Sequence, residues 1–160
     1  MIFIIMGVSG AGKTTVGKML SEKIRSEFYD ADHFHPKENI EKMSKGIPLR
    51  DADRELWLKS IQFLIEVQNG DAVLACSALK QSYRDILNVP DKNVVFVYLK
   101  GEKELLRKRL VGRKGHYAGS NLLDSQLETL EEPQDALTLD IGSTPEVLVE
   151  EIIKEYGHEI

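Results

Sequence analysis

Ile2-Phe3-Ile4-Ile5-Met6-Gly7-Val8-Ser9-Gly10-Ala11-Gly12-Lys13-Thr14-Thr15 opens the chain with an apolar run that breaks directly into a glycine-rich turn. From Gly7 to Thr14 the turn fits the phosphate-binding pattern G-x-x-x-x-G-K-[ST], and each position has a physical task. Glycines let the backbone bend tightly enough for the N–H groups of Gly7, Val8, Ser9, Gly10, Ala11 and Gly12 to face phosphate oxygens. Lys13 reaches the β and γ phosphates, the Thr14 hydroxyl ligates Mg²⁺, and Thr15 follows at the rim of the same cradle. Val16, Met19, Leu20 and Ile24 then recur at helical spacing, so the N-terminal partial positive charge of a helix faces the same phosphates. The strand, loop and helix that the motif requires are all present in the first 25 residues.

Working outward, further apolar runs occur at 72–76, 94–99 and 136–141, with the shorter pair Phe28-Tyr29 ahead of Asp30. Helical patterns lie between them. One runs from Thr14 to Arg25, and a long one opens at Asp51 and closes at Asn69-Gly70. Another runs from Glu102 to Arg113, and the last is capped by Thr144 with Pro145 in its first turn. Short continuous strands alternating with helices predict an α/β fold, a three-layer doubly wound parallel sheet of the P-loop NTPase type. Ligands of such sheets bind beyond the carboxyl ends of the strands. The chemistry-bearing residues are placed accordingly: the phosphate loop after the first strand, Asp30 and Asp32 after the second, Ser77 and Lys80 after the third.

With 160 residues, 42% of them hydrophobic and 29% charged, the chain reads as a single domain, 1–160, without repeats or low-complexity segments. A net charge of −5 argues against a nucleic-acid-binding surface. The single cysteine, Cys76, excludes an intrachain disulfide and fits a reducing, cytoplasmic compartment. The apolar start is too short for a membrane span and lacks a basic leader. No histidine or cysteine pair has zinc-site spacing, which leaves Mg²⁺ as the expected metal.

A GTPase would carry D-x-x-G and N-K-x-D elements, and neither is found. Acidic residues after the second strand and a basic stretch from Arg107 to His116 match instead the plan of small-molecule kinases. The resemblance then becomes specific. Asp30-Ala31-Asp32-His33-Phe34-His35-Pro36, the run Asn39 to Met43, Gly46-Ile47-Pro48-Leu49, and Asp51, Asp53, Arg54 and Trp57 resemble the gluconate kinases of the P-loop type. So do Cys76-Ser77-Ala78-Leu79-Lys80 with Tyr83-Arg84-Asp85, Tyr98-Leu99-Lys100-Gly101, and Arg113-Lys114-Gly115-His116 leading to Ser125-Gln126, Thr129-Leu130-Glu131 and Pro133. The blocks span nearly the whole chain in order. Two positions depart from the family pattern: Leu56 where a proline is common, and Tyr117 where a phenylalanine is common.

The resemblance implies a fold like that of shikimate and nucleoside monophosphate kinases, with a substrate-binding helical region at about 33–60 and a small mobile lid at about 113–125. It implies transfer of the γ-phosphoryl group of ATP to the 6-hydroxyl of D-gluconate, with Mg²⁺ as cofactor, and it suggests a homodimer. Asp32 is expected to accept the hydroxyl proton and Asp30 to hold Mg²⁺ with Thr14. Lys13 and Arg113 are expected to stabilise the transferring phosphate, and Arg109 to stack on adenine. A carboxylate substrate calls for a guanidinium and further polar groups. The candidates are Arg54, Arg84, Lys80 and His35, with His116 and Gln126 joining when the lid closes; which arginine meets the carboxylate stays open. Two alternatives are carried: a kinase of another small hydroxylated acceptor (shikimate-like or a nucleotide), or a nucleotide-dependent binding module without transfer activity.

Overall fold

The computed structural model describes residues 1–112 and 119–160. Strand β1 (Ile2–Met6) runs through the middle of a parallel sheet and is buried at every position. It pairs on one side with β3 (Ala72–Ala75) and on the other with β4 (Val94–Lys100). Strand β2 (Glu27–Asp30) adds to β3 and β5 (Leu137–Asp140) adds to β4, giving the order β2-β3-β1-β4-β5 among the described residues. Burial on both faces is why the inner strands β1 and β3 read as continuous apolar runs, whereas the edge strands β2 and β5 are partly exposed.

Side chains of β1 divide between the two faces because strand periodicity is two. Phe3 and Ile5 pack with α1 (Lys13–Ile24) and α7 (Pro145–Tyr156), along with Leu106 and Leu110 of α5 (Lys103–Val111) and Leu123 of α6 (Gly119–Thr129). Ile2, Ile4 and Met6 pack against Trp57, Leu58, Ile61 and Ile65 of α3 (Asp51–Val67) and Tyr83 and Leu87 of α4 (Gln81–Leu87). The expected three-layer, doubly wound α/β architecture is therefore the one found.

Several local signals act as their chemistry predicts. The Thr144 hydroxyl accepts from the Val147 N–H at 3.3 Å, and Pro145 begins α7. The start of α3 is closed by Asp53, whose carboxylate accepts from the Arg50 N–H at 2.9 Å. Helix α4 is not announced by the sequence pattern; it is only seven residues long, too short to show a period. The segment 33–60 contains the end of a 3₁₀ turn (Ala31–Phe34), α2 (Lys37–Ser44) and the first part of α3, with 45–50 non-helical between the last two. The expected lid divides: 119–125 belongs to α6, and 113–118 lies outside the described residues.

Candidate active site

The register of the sheet brings the candidate residues to one edge. Asp30 pairs with Ala75, and Ala75 pairs with Ile5, so the ends of β2, β3 and β1 lie level. Beyond them opens a cleft lined by Gly10, Gly12, Lys13, Thr14 and Thr15 from the loop, Asp30 and Asp32 after β2, and Ser77 after β3. Ser77 also accepts from the Gly7 N–H through its carbonyl at 3.3 Å, tying two strand ends together.

Two glycines are required by this geometry. A Cβ on Gly7, at φ 148°, would sit 2.9 Å from the Leu99 carbonyl oxygen. Gly12 turns the chain into α1 with φ 94°, a left-handed conformation that costs an L-residue energy. Lys13 donates through Nζ to the Val8 carbonyl at 3.0 Å, which folds its ammonium back over the loop.

Asp30 and Asp32 share a turn. The Asp30 carboxylate accepts from the Asp32 N–H at 3.0 Å, capping the 3₁₀ turn while still facing the cleft. Trp57 fixes that turn from behind: its indole N–H donates to the Ala31 carbonyl at 2.7 Å, and its ring stacks on His35 at 4.4 Å with an interplanar angle of 12°. The buried tryptophan thus grips the residue before Asp32 and the residue three after it.

A second group of polar side chains converges on Asp51, the first residue of α3. Tyr83 donates its hydroxyl proton at 3.0 Å, Lys80 approaches at 3.4 Å and Arg54 at 3.6 Å. The Tyr83 hydrogen bond, with Lys80 and then Arg54, holds the Asp51 carboxyl below its ordinary value. Arg54 also acts electrostatically on His35, as does Asp32, so His35 is near both the Asp30–Asp32 turn and the Asp51 group. Burial, the largest influence, lowers the His35 pKa. Sequence reasoning names Tyr83 and Asp51 within the family-like blocks but gives neither a role in the site. The available signal is the three-residue spacing from Lys80 to Tyr83, which places both at the start of α4.

Arg84 comes to rest elsewhere than expected, and Gln126 and Arg109 gain partners that sequence reasoning did not name. Arg84 is 2% exposed, and its guanidinium donates to the carbonyls of Ala78, Leu79 and Glu131 and to Gln81. Its fork is therefore committed to holding the loop after β3 against the segment before β5, which removes it from the carboxylate candidates. Gln126, on α6, accepts from the Ser9 N–H at 2.6 Å and lines the same cleft as Asp30 and Asp32. Arg109 bridges the phosphate loop and the end of β5, donating to Ile141 at 2.7 Å and lying 3.4 Å from the Gly10 carbonyl. That position is beside the phosphate loop. Arg113 and His116 lie outside the described residues, as does Tyr117.

Cys76 is buried and its thiol is pushed up to about 12 by desolvation, which makes it an inert core residue. No group of three or more His, Cys, Asp and Glu able to hold a metal occurs among the described residues.

Comparison with known proteins agrees with this geometry. A family model described as shikimate kinase matches residues 9–156. A probable gluconokinase from Dictyostelium discoideum is 46% identical, covering 95% of this chain and 84% of that protein. The thermoresistant gluconokinase of Escherichia coli strain K12 is 40% identical, covering 96% of this chain and 91% of that protein. Among solved structures, a gluconokinase from Sinorhizobium meliloti 1021 superposes with a TM-score of 0.88 at 39% identity, covering 98% of this chain and 91% of that one.

Proposed function

Because the chain belongs to the gluconokinase family, within the wider shikimate kinase-like fold, we infer how its own residues divide the phosphorylation of D-gluconate by ATP between them. The products are 6-phospho-D-gluconate and ADP. Kinases of shikimate or nucleotides, and a binding module without transfer, are not favoured beside relatives 40–46% identical that are gluconokinases. The observation that carries the assignment is the cleft in which the phosphate loop and the two carboxylates of the β2 turn face each other.

Phosphoryl transfer demands positioning and charge stabilisation more than covalent help. Backbone N–H groups from Gly7 to Thr15 cradle the ATP phosphates, Lys13 balances charge on the transferring group, and Arg109 borders the adenine. Asp32 orients the 6-hydroxyl and accepts its proton. Thr14 and Asp30 are hard oxygen donors on the same cleft, which suits Mg²⁺, a cation that keeps several waters and takes other ligands from substrate phosphates. When bound, Mg²⁺ supplies neutralisation of phosphate charge. The lid of about 113–125, with Arg113 and His116, belongs to the same reading: closure excludes water and so suppresses ATP hydrolysis. Gln126 is assigned to the phosphate loop.

Arg54 is our choice for the gluconate carboxylate, supported by its place beside His35, Lys80 and Tyr83, and by the commitment of Arg84 to structure. Arg54→Lys keeps the charge but loses the planar fork. Its gluconate KM is expected to rise about tenfold or more while ATP KM stays unchanged, the size of one charged hydrogen bond lost. Steady-state kinetics with both substrates varied will decide it; an unchanged gluconate KM removes Arg54 from the site.

A homodimer is the proposed assembly. Helix α3 exposes Leu56 (63%), Phe63 (64%) and Val67 (51%), and Phe34 and Leu64 line a groove with them. An apolar patch is compatible with its own copy, as a two-fold contact requires. Sedimentation should therefore give a dimer for the native chain and a monomer for Phe63→Glu, whereas a native monomer at micromolar concentration rules the contact out. Among the described residues no helix is long and apolar enough to cross a membrane. A cytoplasmic location completes the reading, and cell fractionation tests it.

A further inference from the structure

Asn39 is 2% exposed, a polar side chain enclosed between α2 and α3, and it plays no part in the transfer outlined above. A buried amide must have partners for its donors, and both partners are identified. Nδ2 donates to the Asp53 carbonyl at 2.9 Å and lies 3.2 Å from Nδ1 of His35. The Asp53 carbonyl can only accept, so it fixes the amide with its NH₂ group inward. The second Nδ2 proton then points at His35, which must accept it. An imidazole that accepts at Nδ1 is neutral and carries its proton on Nε2. The plane of the ring is held by its stack on Trp57 at 4.4 Å, and the Asn39 contact selects which edge faces α2.

We propose that Asn39 is a positioning residue that locks His35 in the neutral, Nε2-protonated form, so that His35 offers gluconate a hydrogen-bond donor aimed at a hydroxyl rather than a positive charge. This rests on the assignment of His35 to the gluconate site. The chemical logic is selective. The substrate is an anion with many hydroxyls, and on the reading above Arg54 answers its carboxylate. A donor without charge adds discrimination along the hydroxyl chain without drawing the carboxylate to the wrong end. Protonating His35 would set a new Nδ1–H against the inward NH₂ of Asn39. That repulsion and burial act in the same direction, as does the charge of Arg54, whereas Asp32 favours protonation. The pKa is lowered, so the neutral form persists through and somewhat below the ordinary histidine value of about 6.5.

The test uses the intact protein. Long-range ¹H–¹⁵N spectra of the native enzyme, with the His35 signals assigned by difference against His35→Ala, should show Nε2 protonated and Nδ1 bare at pH 7. A Nδ1-protonated or charged ring overturns the proposal. In Asn39→Ala the lock is gone; the ring should become a tautomer mixture that protonates at higher pH. Gluconate KM should rise about three- to tenfold, the size of one neutral hydrogen bond, with ATP KM unmoved. A native-like gluconate KM in a folded Asn39→Ala overturns it. His35→Ala separates the two levels. If that variant keeps the native gluconate KM, His35 does not touch substrate and the site assignment itself fails. If its gluconate KM rises but the native spectrum shows the other tautomer, only the role of Asn39 fails.

Discussion

Asp32→Asn is expected to lower kcat by about two to four orders of magnitude, the range over which a positioned general base contributes. The substitution keeps the shape of the side chain and removes its charge and its capacity to take a proton. The Asp32 backbone N–H, held by the Asp30 carboxylate at 3.0 Å, does not depend on the side chain, and Trp57 secures the turn through Ala31. The fold of the turn should therefore survive, and ATP affinity should stay within a few-fold of native. Turnover measured by coupled ADP release, beside ATP binding by calorimetry, separates chemistry from binding. Near-normal turnover would show that the proton leaves by another route and would remove Asp32 from the centre of the mechanism.

Lys13→Met should produce a loss of comparable rank, about 10²- to 10³-fold in kcat, because it deletes a preorganised charge from the transferring phosphate. Methionine retains the apolar stem, so packing along the loop is largely preserved. Here the signature differs from that of Asp32. ATP affinity falls together with kcat, since Lys13 contacts phosphates in the ground state as well, while gluconate KM changes little. Kinetics with each substrate varied in turn give the answer, and a variant within threefold of native in kcat would place the catalytic charge elsewhere.

The Gly7 to Thr14 motif is legible because phosphate binding imposes strict spacing on a short segment, and every residue of it lies in one continuous loop. The carboxylates are legible for a related reason: Asp30 and Asp32 follow a strand directly, and strand ends in parallel sheets converge on one edge. The arginines are different. Arg54 and Arg84 carry the same charge and both sit in family-like blocks, yet one stands beside His35 and Lys80 while the other is buried among carbonyls. Their difference is one of tertiary neighbours, and the sequence holds no local trace of the Glu131 carbonyl that claims Arg84, 47 residues away. The contact of Gln126 with the Ser9 N–H is hidden for the same reason, since the two are 117 residues apart.

By itself, then, the sequence determined the layered α/β architecture, the phosphate cradle and the identity of the acidic turn, all of which depend on periodicity or on contiguous spacing. Only the tertiary structure decided which polar side chains are free to serve a ligand. Hydrogen-bond capacity is finite, and whether a guanidinium, amide or imidazole still has a donor to offer depends on which carbonyls the fold has already brought within 3 Å of it.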